Sequence, residues 1–180
     1  MKRILNLGCG NDTYGTHFID KYPKRKEIIK LDMDIQKIPF PNNYFDEIFS
    51  RNLFEHLTNP GFFLSECRRV LKKGGKLTII TDNASYWFFH IPSFSGHYDK
   101  VDYSGKDDYH FALFTSKHLR NFMKKFNFRI SSLEFFTDFE NPKIIKYPPL
   151  SNETFLINHI LSKIKEVWAF PHIIVKAIKK

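Results

Sequence analysis

Short apolar runs alternate along the chain with segments in which apolar residues recur every three or four positions. The short runs predict strands at residues 3–7, 17–20, 27–33, 44–50, 76–81, 128–136 and 171–178. The three-to-four spacing predicts helices at residues 60–71, 116–126 and 153–168. Thr115 is expected to cap the second helix, and Gly74 and Gly75 are expected to end the first. This order predicts one α/β domain over residues 1–180, with a mostly parallel sheet.

Two segments near the end of the chain leave alternatives open. Residues 82–112 are polar and aromatic without a period, which predicts a long loop that is either solvated or an acceptor-binding lid. The C-terminal amphipathic segment, residues 153–169, precedes a basic tail. We expect it to cover one face of the sheet, and a place on a membrane surface is the alternative.

Composition excludes several classes of protein. The chain is 42% hydrophobic and therefore globular, and its 20 Phe residues indicate either a Phe-rich core or an apolar acceptor pocket. The net charge of +9 is scattered in short Lys/Arg runs, which favours a solvated surface over an anion-binding face. Cys9 and Cys67 have no metal-ligand spacing and imply no disulfide framework. No apolar run approaches the ~20 residues of a membrane span. Because the two cysteines indicate neither a disulfide framework nor a metal site, we expect a cytoplasmic protein without a metal.

The segment Asn6-Leu7-Gly8-Cys9-Gly10 carries the most chemical information. Its glycines allow a tight turn after the first strand and a close approach of the backbone to a ligand. Asp20 ends the second strand and is suited to accept hydrogen bonds from ribose hydroxyls. Asp34 follows the third strand and is placed to accept from an adenine amino group, with Met33 or Ile35 against the ring. Each feature alone is equally typical of a plain turn or a solvated strand end, but the ordered set favours a nucleoside site.

The spacing argues against other nucleotide sites. A dinucleotide fingerprint requires Gly-x-Gly-x-x-Gly opening a full helix, yet position 13 is Thr and the interval to Asp20 is too short for such a helix. The chain also lacks the Gly-x-x-x-x-Gly-Lys-Ser/Thr sequence of a P-loop.

Four segments in order resemble the class I S-adenosylmethionine-dependent methyltransferases, in their small-molecule, methyltransferase type 11-like branch. They lie at residues 5–10 (LNLGCG), 38–48 (IPFPNNYFDEI), 52–57 (NLFEHL) and 69–77 (RVLKKGGKL). The resemblance covers roughly residues 3–82.

The resemblance implies a doubly wound, Rossmann-like seven-stranded sheet whose last strand is antiparallel. It also implies S-adenosyl-L-methionine as the cofactor. The cofactor-binding residues it implies are Asn6, Gly8, Cys9, Gly10, Asp20, Met33, Asp34 and Ser50.

Two departures from the family pattern bear on cofactor binding. Asp12 stands where the family has its third glycine, which leaves Gly15 as a possible substitute, and the first crossover helix is shortened to a turn. The expected function is methyl transfer to a small-molecule, glycan or lipid-linked acceptor. An RNA methyltransferase, suggested by the positive charge, and a non-catalytic methyltransferase-like binding protein are the alternatives; nucleic acid is the less favoured partner.

Methyl transfer to oxygen or nitrogen also requires a group that removes the acceptor's proton. The catalytic candidates in the sequence are Asp82, His90 and His56, and His97 and His110 also lie in the long loop. For His56, next to Glu55, a structural role at the end of the sheet is the favoured alternative.

Overall fold

The computed structural model describes residues 1–90, 109–136 and 152–180, with side chains from residue 156 onward in the last of these ranges. Most of the expected lid, including His97, lies outside the described residues. The same is true of nearly all of the connection at residues 138–152.

The described residues form one seven-stranded sheet in the order β3-β2-β1-β4-β5-β7-β6. The strands are β1 (Ile4–Leu7), β2 (His17–Asp20), β3 (Ile29–Lys30), β4 (Phe45–Arg51), β5 (Leu71–Asp82), β6 (Phe128–Phe136) and β7 (His172–Lys179). Strands β1 to β5 pair in parallel, whereas β7 runs antiparallel to both β5 and β6. The expected doubly wound α/β fold with an antiparallel last strand is confirmed. Its strand order reverses between β1 and β4, which is where such sheets open a crevice for ligands.

The helices are α1 (Pro60–Val70), α2 (Ser116–Lys125), α3 (Asn152–Ile164) and α4 (Glu166–Ala169). Short 3-10 turns follow β4 at Phe54–His56 and β5 at Trp87–His90. Thr115 caps α2 as predicted, because its side chain accepts a hydrogen bond from the His118 amide. In turn, the Thr115 amide donates to Nδ1 of the His118 ring.

The core lies between one face of the sheet and helices α1 and α2. Alternate residues of the central strands and the apolar stripes of both helices are buried together: Leu5, Leu7, Ile48, Leu77, Ile79, Val175, Phe63, Leu64, Cys67, Leu119 and Met123. This packing fixes the carboxyl ends of β1 and β4, and therefore the connections that follow them.

The connection between β1 and β2 has no helix, which confirms the shortened first crossover. It is held instead by polar contacts: Thr16 N donates to Ile4 O at 2.9 Å, and Asn6 Nδ2 donates to Tyr14 O at 3.0 Å. Asp12 accepts from the Tyr14 amide at 2.8 Å. Gly15 has φ +130°, and a Cβ there would lie 3.2 Å from Ile4 O. Gly15 therefore serves the crossing near the start of β1 and does not line the cavity described below.

Three predicted boundaries differ from the structure. The first helix ends at Val70, not at Gly74-Gly75, because Leu71 already pairs with Phe45 of β4. The third strand shrinks to Ile29–Lys30 at the sheet edge. The predicted C-terminal helix is divided at Lys165 into α3 and α4.

The C-terminal helix is also less buried than expected. Leu156, Ile160 and Ile164 of α3 are exposed, so these apolar residues do not pack on the sheet. The helix is held by polar contacts instead: Asn158 accepts from Trp87 Nε1 at 2.6 Å and donates to the Tyr86 hydroxyl at 3.2 Å.

Candidate functional site

A cavity of about 680 Å³ opens at the carboxyl ends of β1 and β2. Five of the eight expected cofactor-binding residues line it, namely Gly8, Gly10, Asp20, Met33 and Asp34, and so does Ile35, the alternative contact for the adenine ring. Further walls come from the connection after β4 and from the segment before α2, and they include Leu53, His56, Leu57, Tyr109 and Phe111. A volume of this size falls in the range of small-molecule and cofactor sites.

The glycine turn brings the backbone to the cavity wall. Gly8 has φ +68° and Gly10 has φ +50°, a conformation that side-chain-bearing residues rarely adopt. A Cβ on Gly8 would lie 3.0 Å from Leu53 Cβ, whereas one on Gly10 would meet nothing within 4 Å. Gly8 is therefore required for packing against Leu53, and Gly10 presents bare backbone to open space.

The amides of this turn already have partners within the chain. Gly8 N and Cys9 N donate to Ile19 O, at 2.9 and 3.4 Å. Gly10 N donates to Asp20 Oδ2 at 2.8 Å. The turn therefore allows a ligand to approach the backbone closely, but its amide groups already donate hydrogen bonds within the chain.

Asp20 joins the turn to the second strand. Its Oδ2 holds the Gly10 amide, and its Oδ1 accepts from the Tyr22 amide at 2.7 Å. Because a carboxylate oxygen accepts more than one hydrogen bond, these contacts leave capacity for the two hydroxyls of a ribose.

Asp34 connects the end of the β3 region to the start of α1. Its oxygens accept from the Thr58 amide at 3.2 Å and the Asn59 amide at 2.8 Å. Met33 beside it is buried. The pair places one carboxylate and one thioether on the same wall, a combination that suits the polar edge and the flat face of a heterocycle.

Two lysines on the wall were not expected from the sequence. Lys21 and Lys24 line the cavity next to Asp20, and Lys21 Nζ lies 3.0 Å from Asp32 Oδ2. The hydrogen bond to Asp32 raises the pKa of Lys21 above its ordinary value. Lys24 belongs to one of the short Lys/Arg runs, which the sequence alone predicts to be solvated surface.

Three expected cofactor residues do not line this cavity. Asn6, Cys9 and Ser50 are all buried beside it. Asn6 holds the Tyr14 carbonyl and so supports the turn from below. Burial raises the pKa of the Cys9 thiol, which keeps it protonated.

The catalytic candidates lie in three different settings. His56 is half-buried and lines the cavity. Asp82 is buried behind it, with one oxygen 3.1 Å from His172 Nδ1 and the other 3.5 Å from His110 Nδ1. His90 is exposed and lines a separate open depression with Trp87 and Trp168.

His172 is absent from the sequence-based candidates. Its position became visible only through the register of β5 and β7, in which Asp82 and His172 are direct partners. Side chains of directly opposed residues point to the same face of a sheet, so this pairing brings the two together.

Within the described part of the chain, no group of three or more His, Cys, Asp or Glu residues is arranged to hold a metal ion. None of the helices in that part has the length and apolar character needed to cross a membrane.

The model of a methyltransferase domain family matches residues 16–79. A ubiquinone/menaquinone biosynthesis C-methyltransferase, UbiE, of Paraburkholderia xenovorans is 43% identical over 47 residues, which are 26% of this chain and 19% of that protein. The chain therefore spans about a fifth of the length of the curated relatives it matches.

Solved structures extend the likeness to the whole fold. A methyltransferase of Thermotoga maritima, described as a possible histamine N-methyltransferase, has a TM-score of 0.67 at 15% identity and covers 100% of this chain and 83% of that chain. A methyltransferase of Archaeoglobus fulgidus has a TM-score of 0.64 at 19% identity, covering 99% and 86%.

The order and direction of the strands are those of the S-adenosylmethionine-dependent methyltransferase fold. The match to a methyltransferase-domain model over residues 16–79 adds a likeness in sequence to this likeness in fold.

Proposed function

We propose that the chain binds S-adenosyl-L-methionine in the 680 Å³ cavity and transfers its methyl group to a small-molecule, glycan or lipid-linked acceptor. The observation that carries the proposal is the convergence of Gly10, Asp20, Met33 and Asp34 on one cavity beside a helix-free turn. The match of a methyltransferase-domain model to residues 16–79 and the likeness in fold support this cofactor.

The residues of the cavity fit the parts of that molecule. Asp20 would hold the ribose, because both its oxygens already face the turn and accept further hydrogen bonds. Met33 and Asp34 would meet the adenine, and the bare backbone at Gly10 would accept the amino-acid portion closely. When bound, the cofactor supplies an activated methyl group, so the chain's own task is to align donor and acceptor in a water-poor cleft.

The rest of the cavity supports a small acceptor with an apolar part. Leu57, Tyr109 and Phe111 form an apolar and aromatic wall near His56. An apolar and aromatic wall differs in chemistry from the extended basic surface that a nucleic-acid acceptor requires. We therefore favour a small molecule over RNA.

Calorimetric titration with S-adenosyl-L-methionine tests the cofactor assignment. Asp20→Ala should weaken binding by about 1–3 kcal/mol, roughly 5- to 150-fold, through lost charge-assisted hydrogen bonds. Asp46→Ala is the matched control, because Asp46 also accepts a backbone hydrogen bond, from Arg3 N at 2.8 Å, but lies at the start of β4 away from the cavity.

Equal affinity in the wild type and Asp20→Ala would refute the ribose assignment. No heat at high ligand concentration in the folded wild type would leave the non-catalytic alternative ahead. Transfer of a radiolabelled methyl group to fractions of a cell extract, each treated or not with ribonuclease, then separates small acceptors from RNA.

A further inference from the structure

A row of polar side chains leads from the cavity wall into the interior. His56 lines the cavity, and its ring lies edge-on to that of His110, with 4.4 Å between ring centres. Behind His110 lies the buried carboxylate of Asp82, and behind that His172. Four titratable groups from four chain segments thus follow one another from the cavity wall into the interior.

The segment bearing His110 is fixed to the site by the backbone. The amides of Phe111 and Ala112 both donate to Glu55 O, at 2.9 and 3.3 Å. The Glu55 carboxylate in turn accepts from the Thr81 hydroxyl at 2.7 Å, next to Asp82 on β5. These bonds join the three chain segments that carry His56, His110 and Asp82.

The hydrogen bond of His56 determines which of its nitrogens is basic. Nδ1 lies 3.0 Å from Tyr109 O, and a carbonyl oxygen only accepts, so Nδ1 carries the proton. In that tautomer of the neutral ring, Nε2 carries the lone pair. A cavity-lining imidazole oriented through Nδ1–H, with a lone pair on Nε2, is the arrangement of a general base.

We propose that His56 takes the proton of the methyl-accepting atom and that His110, Asp82 and His172 are positioning residues behind it. The acceptor therefore carries a removable proton on the atom that is methylated. In the transfer, the acceptor atom forms a bond to the methyl carbon and the carbon–sulfur bond breaks with its electron pair left on sulfur. The acceptor proton passes to Nε2 of His56, which returns it to water. This inference rests on the proposed function.

The charged and titratable groups around His56 that belong to the described residues come from several elements. They include Glu55 beside it, His110 from the segment before α2, Asp82 on β5, and Asp34 near the start of α1. The carboxylates of Asp34 and Glu55 are engaged with amides and a hydroxyl, so neither replaces His56 as the base.

The first test needs no acceptor. Protein labelled with ¹⁵N-histidine is measured by NMR at about pH 8.5, some two units above the ordinary imidazole pKa. Signals are assigned by single replacement of each histidine with Gln. We expect the Nδ1–H tautomer at His56, His110 and His172. An Nε2–H tautomer at His56 would overturn the proposal, whether or not the protein binds cofactor.

The Asp82→Asn variant tests the positioning role in the same spectra. Asn offers one acceptor and one donor, so only one of His110 and His172 can keep its Nδ1–H facing it. We expect one of the two rings to switch tautomer, and methyl transfer to fall about tenfold or more through kcat with the KM for the cofactor unchanged. Unchanged tautomers together with unchanged kcat would exclude a positioning role for Asp82.

The second test uses the extract fraction that accepts labelled methyl. His56→Gln should lose about 10²- to 10⁴-fold in methyl transfer while calorimetry shows cofactor affinity within about threefold of the wild type. The control is His159→Gln, an exposed histidine on α3 away from the cavity, which should keep the wild-type rate. A fully active His56→Gln would refute the inference and leave the proposed function standing, whereas absent cofactor binding in the wild type would refute the function itself.

Discussion

The Glu66–Arg69 pair on α1 allows the sharpest stability prediction. Arg69 donates to both oxygens of Glu66, at 2.8 and 2.7 Å, and also to the carbonyls of Ile38 and Phe40. Glu66 further accepts from the Ile38 amide at 2.9 Å. The pair therefore fastens the connection before β4 to the helix that packs on the sheet.

Glu66→Gln keeps the shape but replaces one acceptor oxygen by an NH2 group, so one bond to Arg69 is lost and the other loses the carboxylate charge. A charge-assisted bond contributes about 1.5–3 kcal/mol, so the loss of one and the weakening of the other sum to about 2–4 kcal/mol. Because the Arg69 side chain is 28% exposed and can regain water, we discount this sum to about 2 kcal/mol. At about 2 kcal/mol per M, the midpoint of urea unfolding should fall by about 1 M.

The same pair predicts a pH dependence with a definite sign. The hydrogen bond from Arg69 lowers the pKa of Glu66 below its ordinary value. The stabilisation is therefore complete above the unfolded-state value of about 4.3 and is lost as the pH falls through the lower folded-state pKa. The difference between wild type and Glu66→Gln should be full at pH 6 to 7 and shrink steadily as the pH falls below about 4.

Glu134→Gln serves as the control, because Glu134 and Lys176 form an exposed pair at 3.5 Å whose loss should cost about 0.5 kcal/mol or less. If Glu66→Gln shifts the urea midpoint no more than this control, or if its effect is independent of pH, the reasoning about the pair is wrong.

Two further changes test the local structure. Thr115→Ala removes the side chain that caps α2 and should lower the free energy of unfolding by about 1 kcal/mol in urea titration, with an unchanged denaturant slope as the check that only stability moved. Gly75→Ala should cost about 2 kcal/mol or more, because its Cβ would lie 2.8 Å from the Lys72 carbonyl oxygen, whereas Gly61→Ala, with no atom nearer than 3.4 Å, should be neutral or stabilising. Equal effects of the two glycine substitutions would contradict the packing argument.

The accuracy of the strand predictions did not follow the number of sheet neighbours. The edge strand β6 was predicted with its observed limits, Phe128–Phe136, whereas the central strand β5 was predicted to begin at Lys76 and begins at Leu71. The second strand was predicted with its observed limits, His17–Asp20. The third was predicted too long, because Leu31 and Met33 are buried in the core cluster without pairing to a neighbouring strand. The glycines at residues 74–75 predicted the end of the first helix, but the helix ends earlier, at Val70, because Leu71 pairs with β4. In both cases tertiary pairing determined the boundary, and local propensity does not report it.

The candidate site could be predicted only in its local part. Gly8, Gly10, Asp20 and Asp34 were accessible because each follows a strand within one short stretch of chain. Phe111 is held at the cavity by a backbone bond to Glu55, and Tyr109 by the ring of His56. Both partners lie more than fifty positions earlier, which no local pattern reveals. Asn6 and Ser50 stand at family positions but are buried beside the cavity, where their neighbours in the strands place them.

The double engagement of Asp20 has a consequence for the energetics of ligand capture. Asp20 accepts from the amides of Gly10 and Tyr22, so the turn at the cavity wall is held by the chain's own hydrogen bonds. If the cavity binds the cofactor as proposed, the turn is ordered before the ligand enters. Ordering this loop would then add little entropic cost to association. Under the proposed function, one side chain would supply this preorganisation in a connection that has no helix. Asp20 is consequently a residue whose loss would slow complex formation as well as weaken it.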